Sequence, residues 1–140
     1  MSRAPGTARR ALQQRDYERL AHFRYRLRCF LRASESLCRR HGATPLQYLL
    51  LLQVKGASAR GWATIGELAE QLQAKHNGVV ALVDRCEELD LVERRPGSQD
   101  RRKVEVHLRP KGEALLERVA VLHQSEVKLL KEEFERPGWK

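Results

Sequence analysis

Hydrophobic periodicity changes sharply between Thr64 and Gly112, and that change limits the folds open to this chain more than any other feature. Thr64-Ile65-Gly66-Glu67 is a capping box, a hydroxyl followed three residues on by a carboxylate, and it opens a short helix from Ile65 to about Leu72. A second helix is expected from about Lys75 to Leu89, where Val79, Leu82, Val83, Cys86 and Leu89 recur at helical spacing. The period then becomes two. Leu91 to Arg95 leads into the turn Pro96-Gly97-Ser98-Gln99-Asp100, and Arg101 to Leu108 returns from it. On the returning strand Val104, Val106 and Leu108 share one face, with Glu105 and His107 on the other. Two short helices followed by a basic hairpin describe a winged helix-turn-helix. The tip of the hairpin carries Arg94, Arg95, Arg101, Arg102 and Lys103 against the single acid Asp100. Cations so close repel one another unless a polyanion binds, so double-stranded DNA is the expected partner.

Apolar helical stripes continue on both sides of this motif. From Asp16 to about Arg40 one stripe holds Leu20, Phe23, Leu27, Phe30, Leu31, Leu37 and Cys38, and His41-Gly42-Ala43 ends it. Thr44-Pro45-Leu46-Gln47 is a second capping box, with proline at the first helical position, and opens a strongly apolar helix to Val54. Ala57 to Trp62 is expected as a loop. A last helix is expected from Pro110 to about Glu133, striped by Leu115, Leu116, Val119, Leu122, Val127, Leu129, Leu130 and Phe134, with Trp139 beyond it as a C-terminal anchor. The segment 44–109 suffices for a DNA-binding lobe. The stripes of 14–41 and 110–134 are surplus to it, and pairing them across a two-fold axis buries a patch too large for a monomer to expose. The expected fold class is mainly α with a small two-stranded β-wing, dimerised through its N- and C-terminal helices. Residues 14–140 form a single winged-helix domain, and the Arg-, Pro- and Gly-containing segment 1–13 is expected to be a disordered basic arm.

Charge placement agrees with this reading. The formal net charge is +9. Residues 1–41 hold 11 Arg against 3 acids, and residues 94–103 hold 5 cations against 1 acid, whereas residues 75–93 carry 2 cations and 5 acids. A positive field of this kind speeds encounter with DNA and supplies non-specific affinity. No apolar run approaches the roughly 20 residues of a membrane span, so no membrane partner is expected. The N-terminus leads into no signal-peptide core, and a cytoplasmic location is the default.

The segments Glu67-Leu68-Ala69-Glu70-Gln71-Leu72, Val79 to Arg85, Leu91 to Arg95, Asp100-Arg101-Arg102 and Leu108 to Gly112 together resemble the MarR family of bacterial transcriptional regulators. Asp100 and Arg102, then Leu108 and Gly112, match the family's wing signature in residue type and spacing. The resemblance implies a homodimeric regulator, a repressor or an activator with the repressor preferred, that binds a palindromic operator and leaves it on a small-molecule or oxidant signal. An effector would sit between the dimerisation helices and the lobe, with Tyr25 and Trp62 as candidate lining residues.

Position indicates which residues face DNA. The N-terminal end of the second helix of such a motif enters the major groove, and here it reads Lys75-His76-Asn77-Gly78. Lys75 and His76 can donate to phosphate or guanine, Asn77 suits adenine, and Val80 and Ala81 can meet thymine methyls. The family usually has serine, threonine and arginine over these positions, and the alternative role for His76 and Asn77 is to cap the helix. At the wing, Arg101 and Arg102 suit a narrow minor groove. The resemblance makes Arg102 the groove residue and Asp100 its brace, reaching toward Arg85. Arg95, Ser98 and Gln99 would reach sugar and phosphate.

Chemistry other than binding finds little support. Cys29 and Cys38 are the candidate redox residues, because Arg28, Arg39 and Arg40 would lower a neighbouring thiol pKa. They lie about 13.5 Å apart along one helix, on opposite faces, and do not bridge within a chain. Cys86, on an apolar face, reads as a small buried hydrophobe. The five histidines are scattered, with no metal-ligand spacing, phosphate loop or nucleophile elbow. No cofactor and no enzymatic activity are expected. The competing reading is a winged-helix interaction module that binds a protein or nucleic acid without operator specificity.

Overall fold

Both capping boxes form as expected and fix where two of the helices begin. The computed structural model describes residues 10–57, 59–126, 128, 131 and 132. These fall into two compact units, one ending at Ala33 and the other starting at Ser34. Most of the N-terminal arm, the apolar residues Val127, Leu129, Leu130 and Phe134, and the Trp139 anchor lie outside the described residues.

The first unit consists of most of helix α1 (Gln14–Arg40). Asp16 accepts the Gln13 N–H at 2.8 Å and so closes the first turn. That backbone hydrogen bond holds the Asp16 carboxyl below its ordinary range. Phe23, Leu27 and Phe30 are half-buried, whereas Tyr17, Leu20, Tyr25 and Leu31 are exposed.

The second unit is built around α2 (Pro45–Lys55). Thr44 Oγ1 accepts from the Gln47 N–H at 3.1 Å while Gln47 Oε1 accepts from the Thr44 N–H at 3.0 Å, so two otherwise orphaned donors of the first turn are satisfied. Leu50, Leu51 and Val54 are fully buried against α3 (Ile65–Leu72), α4 (His76–Glu88), α5 (Pro110–Leu122) and a small antiparallel sheet. Leu68, Val79, Val83, Cys86, Val92, Val106 and Val119 complete that core. Burial of such side chains contributes roughly 1.5–3 kcal/mol each, which is why the short helices α3 and α4 persist.

The sheet has three strands rather than the two expected. β1 (Trp62–Thr64), β2 (Val92–Pro96) and β3 (Val104–Leu108) run in the order β1-β3-β2. Trp62 pairs with His107 and Thr64 with Glu105, while Arg94 pairs with Val106 and Arg95 with Glu105. A three-residue strand leaves almost no periodic signal, and here it lies between the expected loop, which ends at Trp62, and the Thr64 cap. The returning strand also starts later than expected, at Val104, because residues 97–103 are taken up by the turn.

Two further expectations are corrected. The β3 faces are not simply apolar and polar, since Val104 is exposed and Glu105 is only 4% exposed. The last helix does not run unbroken to Glu133; α5 ends at Leu122 and helical residues resume at Glu126. The cause of the break is His123. Its N–H bonds the Ala120 carbonyl at 2.9 Å and the Gln124 N–H the Val121 carbonyl, tightening the last turn, and its ring turns inward to stack on Tyr48 with centroids 4.8 Å apart. Because Nδ1 faces the Val119 carbonyl at 2.9 Å, it must donate there, and in the neutral ring Nε2 accepts the Ser34 hydroxyl at 2.8 Å.

Gly112, matched in the wing signature, has a steric reason. A Cβ there would lie 2.0 Å from the Leu91 carbonyl oxygen, which also accepts the Arg109 N–H at 3.0 Å. Only glycine lets α5 start this close to the strand.

Candidate nucleic-acid interface

The helix-turn-helix is set by local chemistry at both ends of α3. Thr64 Oγ1 accepts the Glu67 N–H at 3.2 Å and Glu67 Oε1 accepts the Thr64 N–H at 3.1 Å. Partial burial works against the Glu67 carboxylate, but the Thr64 backbone bond and the Arg60 guanidinium outweigh it and hold its pKa down. Gln73 ends α3 in the left-handed conformation, φ 51°, and Ala74 N–H bonds back to the Ala69 carbonyl. The chain thereby turns sharply enough for α4 to begin three residues later.

Val79, Val83 and Cys86 bury one face of α4 in the core. The residues expected to face DNA lie on the rest: Lys75, His76, Asn77, Gly78, Ala81 and Arg85 are all exposed. Lys75 occupies the N-cap with no side-chain hydrogen bond, so neither His76 nor Asn77 serves as the cap. The open N–H groups of the first turn and the side chains of Lys75, His76 and Asn77 are left facing solvent.

The wing is more tightly organised than its sequence suggested. Arg94 does not belong to the free cations of the tip. Its Nη2 donates to Asp84 Oδ1 at 2.6 Å and to the Val80 carbonyl at 3.2 Å, and its Nη1 donates to Glu87 Oε2 at 3.0 Å. Desolvation alone would lower the guanidinium pKa, but these two carboxylates raise it. The unexplained excess of acid in residues 75–93 is thus partly consumed by one wing arginine. Arg95, expected on sugar or phosphate, pairs with Glu93 on its own strand and its side chain stays exposed.

Asp100 braces the turn but does not reach Arg85. Its Oδ1 accepts the Arg102 N–H at 3.0 Å and Arg102 Nε at 3.2 Å, an arrangement closed within three residues. The Arg102 side chain is nevertheless 91% exposed, so this exposed ion pair leaves it available to a stronger anion. Its hydrogen bonds, side chain first, hold the Asp100 carboxyl below the ordinary range. Arg101, Lys103 and Gln99 are exposed and make no ion pair among the described residues. Gly97 permits the turn: its N–H bonds the Lys103 carbonyl at 2.8 Å, and a Cβ would lie 1.9 Å from the Asp100 carbonyl oxygen.

Ser98, on the exposed turn, points its hydroxyl to Glu105. Its N–H and hydroxyl both donate to Glu105 Oε2, at 2.6 and 2.8 Å. Glu105 Oε1 accepts from His107 Nε2 at 2.9 Å. The Ser98 backbone bond is the main reason the Glu105 carboxyl is held low. The His107 ring stacks on Trp62, 6.0 Å between centroids, and the Arg60 guanidinium lies 4.1 Å over the other ring system. Trp62 is therefore committed to this stack. Arg94, Glu105 and Arg60 are the residues sequence reasoning missed; the acid excess near α4 was the only signal for the first.

The thiols sort by burial. Cys29 is exposed, whereas Cys38 and Cys86 are buried. Burial pushes the Cys38 thiol up, aided by Glu126, which reverses the lowering expected from Arg39 and Arg40. Cys86 is pushed up to about 11 by burial. Among the described residues no group of His, Cys, Asp and Glu could hold a metal ion, and no helix is long and apolar enough to cross a membrane.

Comparison with known proteins places this geometry. The MarR family model matches residues 41–103, which contain α2, the helix-turn-helix, the first wing strand β2 and the turn after it. The HTH-type transcriptional repressor MdtR of Bacillus subtilis is 30% identical over 80 residues, covering 57% of this chain and 50% of MdtR. The chain spans about half the length of the curated relatives it matches. AbsC, a MarR family transcriptional regulator from Streptomyces coelicolor, superposes with a TM-score of 0.74 at 18% identity, over 90% of this chain and 93% of AbsC. A mutant of MepR from S. aureus, solved bound to an oligodeoxyribonucleotide, superposes at 0.62 with 20% identity, over 80% of each chain. Residues 41–103 of the chain thus match the MarR family, and the curated relatives similar to it are HTH-type transcriptional regulators.

Proposed function

We propose that this chain is a sequence-specific double-stranded DNA-binding regulator, acting as a homodimeric repressor on a palindromic operator. The observation that carries the reading is the pairing of two exposed elements on one scaffold. One is the uncapped N-terminal end of α4, with Lys75, His76 and Asn77 free to donate. The other is the wing tip with Arg101, Arg102 and Lys103 exposed. Arg94 ties the strand that leads to this tip to α4. The MepR structure, of the same fold, holds DNA. Lys75, His76, Asn77, Ala81 and Arg85 are assigned to the major groove, Arg101 and Arg102 to the minor groove. Arg95 and Gln99 are assigned to the backbone alongside. Asp100 and Ser98 shape the turn.

The segments 14–41 and 110–134 serve as dimerisation helices in this reading and 44–109 as the DNA-binding lobe. Support comes from the apolar surface a single chain leaves open, Leu20, Tyr25 and Leu31 on α1 and Val121 and Leu122 on α5. Sedimentation equilibrium should return about twice the 16.2 kDa chain mass, and Leu27→Glu should split the dimer and abolish palindrome binding together. The signal for release is a small molecule or an oxidant, and Cys29 is the exposed thiol on which an oxidant would act.

An unbiased duplex selection tests the assignment. Enrichment of a palindromic motif supports operator recognition, whereas binding without any enriched motif supports the interaction-module reading. Log K should fall with log[salt] with a slope of several units, as phosphates are neutralised by two wings and two helix ends. A flat salt response would sink DNA binding altogether.

A further inference from the structure

A carboxylate lies buried beneath a hairpin tip whose other charges are almost all positive. Glu105 is 4% exposed, and both its oxygens are used. Oε2 takes the Ser98 N–H and hydroxyl at 2.6 and 2.8 Å, and Oε1 takes His107 Nε2–H at 2.9 Å. The contact chain continues. His107 stacks on Trp62, its cross-strand partner on β1. Arg60 covers Trp62, donates to the Trp62 carbonyl at 3.0 Å, and pairs with Glu67 in the capping box of α3. Side chains thus connect the wing turn to the start of the helix-turn-helix.

Stability alone does not call for a carboxylate here, because a well-packed apolar side chain generally does as well as a buried charge. What a carboxylate supplies is direction, since two donors of one turn residue converge on a single oxygen. Ser98 belongs to the same closed turn as Arg101 and Arg102, which Gly97 and Lys103 seal.

We infer that Glu105 is a positioning residue for DNA recognition, holding the wing turn through Ser98 so that Arg102 is presented at a fixed height relative to α3 and α4. The inference rests on the DNA-binding reading above. Glu105 touches no DNA itself; it acts through the arginine.

A double-mutant cycle on duplex affinity tests it, combining Glu105→Gln with Arg102→Ala. Glu105→Gln keeps the shape but loses one strong acceptor, and affinity should fall roughly fivefold to a hundredfold, the size of losing one groove-reading arginine. In the Glu105→Gln background, Arg102→Ala should then have little further effect. Restored affinity in Glu105→Asp, where the carboxylate is kept, supports direction by charge over simple packing. In the DNA-free protein, the Ser98 amide should be slow to exchange in the wild type and fast in Glu105→Gln. Ser98→Ala lies on the exposed turn and carries the same cycle if Glu105→Gln fails to fold; its loss should be smaller, and also coupled to Arg102. Additive effects of the two substitutions, or an unprotected Ser98 amide in the wild type, overturn the positioning role while leaving DNA binding intact. A wild-type chain that binds no duplex removes the DNA reading and this role with it.

Discussion

Asp84 on α4 accepts a 2.6 Å hydrogen bond from Arg94 on β2, so the second helix of the helix-turn-helix and the wing are fastened to each other. Glu87 and the Val80 carbonyl hold the same guanidinium from one helical turn either way. An arginine that looked like one of five interchangeable wing cations is a strut. Its planar fork makes this possible, because three acceptors are met by two nitrogens in fixed geometry.

Asp84→Asn separates the strut from plain electrostatics. The substitution removes a negative charge from the helix proposed to face DNA, and charge alone predicts tighter binding. Loosening of the strut predicts weaker and less selective binding instead. We expect the second outcome in a duplex titration at two salt concentrations. The cost to stability should stay within about 1 kcal/mol, since the Asp84 side chain is 55% exposed and solvent screens the pair.

Arg102→Ala should weaken operator binding by about 1–3 kcal/mol while leaving the thermal midpoint nearly unchanged. The side chain is almost fully exposed and its partner Asp100 is solvated once released. A variant that unfolds, or one that binds as tightly as the parent, would show that the residue has been misplaced.

Gly112→Ala should destabilise the fold by about 1–3 kcal/mol through forced overpacking. The new Cβ meets backbone, the Leu91 carbonyl, rather than a side chain that could move aside. Chemical denaturation should report the loss with an unchanged slope. Gly66→Ala is the control, because a Cβ at that helical position meets nothing within 4 Å.

Stability should fall at both ends of the pH range, for opposite reasons. Glu105 and Glu67 are held below the ordinary 4.5, so each contributes stability that is full above that value and is lost as pH falls through the lower folded-state value. At the alkaline end Cys86 is raised from 9.0 to about 11 and Tyr48 from 10.0 to about 12. The folded state keeps protons there that the unfolded chain has lost, so stability drops as pH rises through 9 to 12. Urea midpoints across the range, compared with Cys86→Ala at the alkaline end, check the assignment. The same burial predicts the order of thiol modification, with Cys29 first and Cys86 last.

Much of this architecture was legible because it is encoded over short distances. Thr44-to-Gln47 and Thr64-to-Glu67 each place a hydroxyl and its reciprocal acceptor within one helical turn, and α3 runs from Ile65 to Leu72 as its sequence indicates. The change from helical to alternating periodicity located the wing, and exposure of Lys75, His76 and Asn77 follows from the apolar face opposite them.

The rest depended on which residues distant in sequence became neighbours. Nothing local distinguishes Arg94 from Arg95, yet one reaches back ten residues to Asp84 and the other stays on its own strand with Glu93. Glu105 reads as the outer face of a two-stranded ribbon, and only the third strand and the folded turn cover it. His123 sits in an unbroken apolar helical pattern, and Ser34, 89 residues away, together with Tyr48 turns it inward and ends α5. Capping and periodicity are properties of neighbouring residues and so are written in the sequence itself. The partners of a buried charge are chosen by packing, and they exist only once the core has brought the strands and helices together.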